Sequence, residues 1–326
     1  VTAPPTSTTS GRTGAQSPSQ PAKPGPGRSG LRPGIPFIAV HLACIAVVFV
    51  GVSPVALAVA AATYVVRAFG ITAFYHRCFS HKAFRVSRPV QLVGAILGAA
   101  AAQRGPLWWV GHHRDHHRYT DRPGDPHSPR NDGMLGAHLL WLFDATNQPT
   151  RMENVGDLAR FPEMRVLDRY HHIVPVATAA SLFALGTGFE HLWPGLHTSG
   201  WQLVVWGFAI STVALYHSTF AVNSVAHRFG RRRFATRDDS RNNWLVSLLT
   251  LGEGWHNNHH RFPNTARQGL SRLEIDPTWL VIRLLAAVHL AHDLRPVPPW
   301  AIATARGAPL ADHHQPRLRT QPGVGP

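Results

Sequence analysis

Cysteine is nearly missing: two copies in 326 residues exclude a disulfide framework and a thiolate-held zinc or iron–sulfur site. Acidic residues are also few, 17 against 32 Lys and Arg, which leaves a formal net charge of +15. Charged residues reach only 15% of the chain, while apolar residues reach 44%. Such a basic balance fits either nucleic acid or loops that face an anionic membrane leaflet. What the chain has in plenty is histidine, 22 copies, more than Asp and Glu together.

Hydropathy is strongly segregated. Residues 1–34 are Pro, Ser, Thr, Gly and basic residues, with little to bury, and read as a disordered tail. No apolar run closely follows the first residues, so a secretory signal is not expected. Four runs (35–52, 54–75, 173–188 and 202–222) approach the ~20 residues that a spanning helix needs. Their uniform apolarity argues against amphipathic helices of a soluble core. Two weaker runs, 90–102 and 279–290, read as interfacial helices. The 296–326 stretch reads as a polar C-terminal tail, leaving 35–295 as one membrane domain. The fold class expected is therefore an all-α membrane protein with four transmembrane helices.

Charge sets the topology. Arg12, Lys23, Arg28 and Arg32 precede the first run, and the segments after the second and fourth hold most other cations. The links between the first and second runs, and between the third and fourth, hold neither Lys nor Arg. Basic loops favour the cytosol, so both tails and both large polar regions are placed there. The excess positive charge then needs no nucleic acid. Abundant Arg, Ala, Pro and Gly suggest a high-GC bacterial source and hence a bacterial cell membrane.

Histidines fall in four clusters: His76-Arg-Cys-Phe-Ser-His81, His113-Arg-Asp-His116-His117, Asn223-Ser-Val-Ala-His227 and His256-Asn-Asn-His259-His260. Positions i, i+3 and i+4 share a helical face, so each H-x-x-H-H box converges. His76 and His81 lie about 140° apart on an ideal helix, so the helix is expected to end or bend between them. All four clusters fall on the same expected side of the membrane. Nine imidazoles exceed the needs of one metal and suit two, with zinc, copper, iron or nickel as options. Asp115, Asp121, Asp125 and Glu253 are candidates to orient the rings, with His112 as a further one. His127 and His138 are ambiguous, Cys78 reads as packing, and lone histidines such as His41 and His217 read as structural.

These motifs resemble the integral-membrane fatty acid desaturases, most closely the acyl-CoA Δ9-desaturase (stearoyl-CoA desaturase-like) family. The matching text is Gly70-Ile-Thr-Ala-Phe-Tyr-His-Arg-Cys-Phe-Ser-His81, Trp108 to His117 running on to Asp125-Pro-His127, Asn223-Ser-Val-Ala-His227, and Gly252-Glu-Gly-Trp-His-Asn-Asn-His-His-Arg-Phe-Pro263. The resemblance implies four transmembrane helices under a cytosolic helical cap that holds a histidine-ligated di-iron centre, with an acyl chain held in a tunnel beneath it. One iron would take His76, His81, His113, His117 and His259. The other would take His116, His227, His256 and His260, with Asn223 reaching it through a water. It also implies an O2-dependent removal of two hydrogens from a saturated fatty acyl chain, giving a cis double bond, at Δ9 by the closest resemblance. Side-chain acids and bases cannot break an unactivated C–H bond, so a metal–oxygen oxidant fits.

Two departures stand out. Gly111-His112 and Asp144-Ala145 replace charged pairs that meet the head of acyl-CoA in animal relatives. That leaves CoA, acyl carrier protein or an intact lipid open as carrier. Arg104, Arg130, Arg151 and the Arg231-Arg232-Arg233 run are cations that can meet phosphates, although a solvated loop explains the run more simply. Tyr64 and Trp109 are expected to line the substrate tunnel, Tyr64 as its stop about 18 Å before His76. A separate electron donor of ferredoxin or flavin-reductase type is expected. Two rivals remain: a di-iron hydroxylase using the same site, and a membrane metal transporter or zinc hydrolase. A transporter would place ionisable ligands inside its spans, whereas these boxes sit at span ends.

Overall fold

The computed structural model describes residues 34–307. The expected N-terminal tail, apart from Gly34, and the chain beyond 307 lie outside them. The described chain is almost wholly helical, and its single sheet is a two-stranded ribbon.

Helix α1, Ile35–Val50, is 16 residues of apolar helix tightened to a 3-10 turn at Cys44–Ala46. It ends at Gly51, whose φ of +64° suits glycine. At 1.5 Å per residue it measures about 24 Å, short of the ~30 Å hydrocarbon core. The expected first span is thus shorter than the other three. Helix α2, Pro54–Ser80, runs 27 residues. Ser53 caps it by accepting the Ala56 N–H, and Pro54 fills the first turn, where no amide needs a partner. Helices α3 (Arg88–Ala99), α4 (Pro106–Tyr119), α5 (Pro129–His138) and α6 (Pro162–Arg169) follow. Helix α7, Ile173–Leu192, has 20 residues, and α8, Gly200–His227, has 28. The short α9 (Trp244–Leu249) and α10 (His256–Arg261) precede α11 (Pro277–Ala287) and α12 (Pro299–Ala305).

Three helices, α2, α7 and α8, are therefore long and apolar enough to cross a membrane. Phe49, Val48, Val176 and Leu192 are each more than half exposed on these helices and α1. Such large apolar side chains on the outside suit lipid rather than water. Trp244, Leu245 and Leu248 of α9 are likewise exposed, as are Leu280 and Leu284 of α11.

Close helix approach depends on small residues. A Cβ on Gly70 of α2 would collide with the backbone of Leu97 in α3, and one on Gly98 would enter the Tyr75 ring. A buried Arg67 in α2 ties to α8, donating to Thr212 Oγ1 at 2.6 Å and to the Ser211 hydroxyl. Past the polar region, Arg85–Val86 pairs antiparallel with Ala291–His292. The folded part continues beyond 295, contrary to the polar tail expected from 296. Val297 and Ala301 are buried against Phe234 and Leu270 because α12 carries its own apolar face.

Candidate metal centre

The ends of α2 and α8, together with α4 and α10, bring the histidines together. Among the described residues the rings form two sets, His76, His81, His113, His117 and His259, and His116, His227, His256 and His260. In each set one nitrogen per ring lies within 4.8 Å of every other. The Nε2 atoms point inward: His76 and His259 stand 3.0 Å apart, His81 and His113 2.8 Å, and His227 and His256 3.0 Å.

Each H-x-x-H-H box straddles the two sets. Four residues turn a helix about 40° past a full turn and three leave it about 60° short. His113 and His117 therefore face one set while His116 faces the other, and His256 and His260 part from His259 in the same way. The helix ends at Ser80, between His76 and His81 as expected, and the two rings still meet. From Gly70 to Ser80 the helix relaxes to π winding, and the His81 amide donates to the His76 carbonyl at 3.2 Å. An i→i+5 bond stacks the fifth residue over the first, and such π segments gather at functional sites. The two ring centroids are 4.8 Å apart.

Carboxylates hold the outward nitrogens. Nδ1 of His116 lies 3.0 Å from Asp125 Oδ1, that of His227 3.1 Å from Asp121 Oδ2, and that of His260 3.1 Å from Asp238 Oδ2. Nδ1 of His76 pairs with Glu253. His259 Nδ1 sits 3.3 Å from the Gln268 amide. A carboxylate on Nδ1 fixes the tautomer that leaves Nε2 free as a donor to metal. Burial raises Asp121, Asp125 and Asp238, but the histidines they face more than offset this and hold each well below the usual carboxylate range. Burial, then the neighbouring imidazoles, pushes His81, His113, His117, His256 and His259 far below 6.5. His260 falls to about 4, burial outweighing Asp238. These rings are neutral, ready donors at neutral pH.

Some expectations need correction. Asp115 reaches no ligand ring; it accepts from Asn154 Nδ2 at 2.7 Å and lies beside Arg151, because its position on α4 turns it outward. Asp238 and Gln268 take orienting places that no sequence spacing flagged. His112 donates from Nδ1 to the Trp108 carbonyl at 2.8 Å. His127 stacks on His116 at 4.6 Å, and its Nδ1 is 4.0 Å from Asp125, so a third set of His116, Asp125 and His127 shares a ring with the second. His138 is apart, bonded to Ser224 and His217. Cys78 packs with Sγ 3.6 Å from the Phe84 carbonyl, and Cys44 is a distant free thiol.

A cavity of about 710 Å³ opens beside the rings, lined by Phe37, Val40, Val204, Phe208, Trp109 and His113 among others. Asn223 and Trp109 line it and also a smaller recess reaching His76, His116 and His256. From Val204 to Asn223 along α8 it extends roughly 28 Å at 1.5 Å per residue. Tyr64 lines neither. Its hydroxyl donates to the Leu249 carbonyl at 2.6 Å, and its ring packs into the core. The side chain sits one turn before Ala68 of the smaller recess and is not part of its lining.

Residues 52–291 match the model of the fatty acid desaturase family. The sn-2 palmitoyl-lipid 9-desaturase of Nostoc sp. (strain 36) is 41% identical over 235 residues, 71% of this chain and 78% of that protein. The acyl-CoA C20 Delta5-desaturase of Anemone leveillei is 40% identical over 230 residues, 70% of this chain and 69% of that one. The chloroplastic palmitoyl-monogalactosyldiacylglycerol delta-7 desaturase of Arabidopsis thaliana is 40% identical over 244 residues, 74% of this chain but only 62% of the plant protein.

Proposed function

The chain belongs to the fatty acid desaturase family, and from that premise we propose that it introduces a cis double bond into a saturated fatty acyl chain carried on lipid or CoA. The observation that carries this reading is the long apolar cavity that ends on His113 and Asn223, beside nine converging imidazoles. An all-nitrogen donor set with carboxylates behind it fits a pair of iron ions. His76, His81, His113, His117 and His259 would hold one, and His116, His227, His256 and His260 the other, with Asn223 contributing through a water. When bound, the metal pair supplies the O2 activation needed to take hydrogen from an unactivated C–H bond.

The chain's own residues do the rest. Phe37, Val40, Val204 and Phe208 grip the acyl tail by apolar contact and exclude water. Trp109, stacked on His113 at 4.9 Å, forms the wall that sets which carbons face the metal ligands. Asp121, Asp125, Asp238 and Glu253 keep the Nδ1 protons of their partner rings in place, so no ligand turns away and each Nε2 stays directed at the metal site. Two hydrogens leave the chain and, with O2, two electrons and two protons, end as two waters.

In this reading residues 35–295 form the membrane domain, α1 crosses beside α2, α7 and α8 as a fourth span, and the histidine region faces the cytosol. The exposed apolar side chains of α9 and α11 rest in the interface. Electrons come from a separate ferredoxin-type or flavin-reductase partner docking on the cytosolic face. The test supplies iron-loaded protein in vesicles with O2, an electron-donor system and a palmitoyl substrate. A product lacking two hydrogens is expected. A product with one added oxygen makes the enzyme a hydroxylase, and turnover without any electron donor overturns the separate partner.

A further inference from the structure

The two histidine sets differ in what stands behind their rings. In the second set three of the four rings hold Nδ1 against a carboxylate: His116 against Asp125 at 3.0 Å, His227 against Asp121 at 3.1 Å and His260 against Asp238 at 3.1 Å. In the first set, among the described residues, His76 alone of five does so, against Glu253. His259 meets the uncharged Gln268 amide instead, and no described carboxylate stands against His81, His113 or His117.

The three carboxylates behind the second set are buried and act as acceptors. Asp121 takes the Ser128 hydroxyl and the Asp239 amide, both at 2.7 Å. Asp125 takes the amides of Asp121 at 2.8 Å and His127 at 3.1 Å. Asp238 takes the Ser240 amide at 3.0 Å and the Thr236 hydroxyl at 2.9 Å. Several such donors hold a carboxylate in its ionised form, and none of them brings a positive charge. Around the first set the charges are balanced. Glu253 is met by Arg77, with Nε at 3.1 Å and Nη2 at 2.9 Å, and Arg77 also pairs with Asp276, so this group keeps one net negative charge. Lys82 and Arg114 share the Asp157 carboxylate and leave one positive charge beside His81, since Arg114 also donates to the Phe79 and Ser80 carbonyls. Three negative charges thus back the second set, while those around the first cancel.

A carboxylate on Nδ1 makes the imidazole a stronger donor through Nε2, and its own charge favours an ion of higher charge. A ring without one lacks both effects. We propose that Asp121, Asp125 and Asp238 bias the second set towards the more oxidised ion, so that an electron delivered singly comes to rest on the first set. The inference rests on the di-iron desaturase reading and says how that site takes up its electrons. The three aspartates are positioning residues, acting through the rings they hold. The step is the transfer of one electron. The partner's iron–sulfur or flavin centre loses it, the ion held by His76, His81, His113, His117 and His259 goes from ferric to ferrous, and no bond or proton changes hands.

The test uses the full chain in detergent, loaded at saturating iron enriched in the Mössbauer isotope, given one reducing equivalent per chain and frozen. Wild type is expected to show one of two ferric components turned ferrous and the other kept, by a ratio of about ten to one, which is about 59 mV between the two midpoints. Asp238→Asn keeps the size of the side chain and an accepting oxygen but removes one charge from the second set, and should lower the ratio about tenfold, to an even share. Asp125→Asn makes the same measurement at another ring, so that loss of iron from one variant leaves the ratio readable in the other. Glu253→Gln removes charge from the first set and should raise the ratio, an opposite sign that loosened structure alone does not give. An electron shared evenly in wild type overturns the proposal without recourse to any variant, as does an unchanged or raised ratio in iron-replete Asp238→Asn or Asp125→Asn. A wild-type chain that binds no iron pair, or that holds one and desaturates no palmitoyl lipid when given O2 and an electron donor, overturns the underlying desaturase reading instead.

Discussion

His227 Nδ1 lies 3.1 Å from Asp121 Oδ2, across 106 positions of sequence, and so couples the end of α8 to the turn after α4. The same carboxylate accepts the Ser128 hydroxyl at 2.7 Å and the Asp239 amide at 2.7 Å. Asp121 adopts φ of +57°, which Asn also tolerates. Asp121→Asn should thus keep the backbone while weakening the grip on the His227 ring. Loss of such a partner lowers metal affinity about 10–100-fold. Iron retained after dialysis against a graded chelator measures it: one metal should leave well before the other, where wild type loses both together. Wild-type retention would show that His227 needs no orienting carboxylate.

Arg77 is buried between two carboxylates. Its Nε donates to Glu253 Oε1 at 3.1 Å and its Nη1 to Asp276 Oδ2 at 3.0 Å, with the Ala266 carbonyl at 2.8 Å. Asp276 also caps α11 by accepting the Trp279 amide, and Glu253 holds His76. Arg77→Met strands two buried negative charges, a loss of about 3–5 kcal/mol. Arg77→Lys cannot restore the fork because its ammonium is a point donor. Thermal unfolding of the metal-free protein in detergent should show both variants well below wild type, Met the lower. Equal melting would mean that the carboxylates find other partners.

The histidine boxes were readable in sequence because i, i+3 and i+4 spacing is a property of the helix itself. The apolar runs that became α2, α7 and α8 were readable for the same reason, although α2 and α8 each continue five residues past the expected run, to Ser80 and His227. What escaped is what depends on distant pairing. Asp238 reaches His260 from a loop with no periodic pattern, and Gln268 reaches His259 from another. The expected end of the helix between His76 and His81 falls at Ser80, but the π winding at 70–80 carries no simple residue signature and went unread. For Tyr64 the sequence gives the distance from His76, whereas its direction around the helix is set by Ser218 of α8 and Leu249, partners far away in the chain.

That direction yields a contrast. Tyr64→Phe should cost about 1 kcal/mol through the lost Leu249 bond and leave product chain length unchanged. Val204 lies on the cavity wall, some 28 Å from Asn223 by helix rise. Val204→Trp should shorten the cavity and shift preference towards shorter acyl chains. Product profiles from mixed acyl substrates decide it: a length shift in Tyr64→Phe with none in Val204→Trp would reverse the placement of the tunnel's end.

The cavity's outer wall rests on α1, which supplies Phe37 and Val40. One end of α1 is held by Gln202 donating to the Val50 carbonyl at 2.9 Å and Trp206 donating to Gly51 at 2.8 Å. Towards the other end His41 Nε2 meets His217 Nε2 at 3.2 Å, and His217 Nδ1 meets His138 Nε2 at 3.0 Å. His217→Phe keeps a ring against Phe220 but breaks both contacts. A hydrogen bond is worth about 1 kcal/mol net, so local opening at this end should become about fivefold more frequent. Hydrogen exchange read peptide by peptide should quicken over 35–43 and stay as in wild type over 200–210, since opening here is local. The loosened wall should also raise KM for the acyl substrate more than it lowers kcat, because the apolar grip weakens while the metal ligands stay put. Unchanged exchange over 35–43 would mean that apolar packing of Phe37 on Tyr216 and Phe220 already holds this end without the imidazoles.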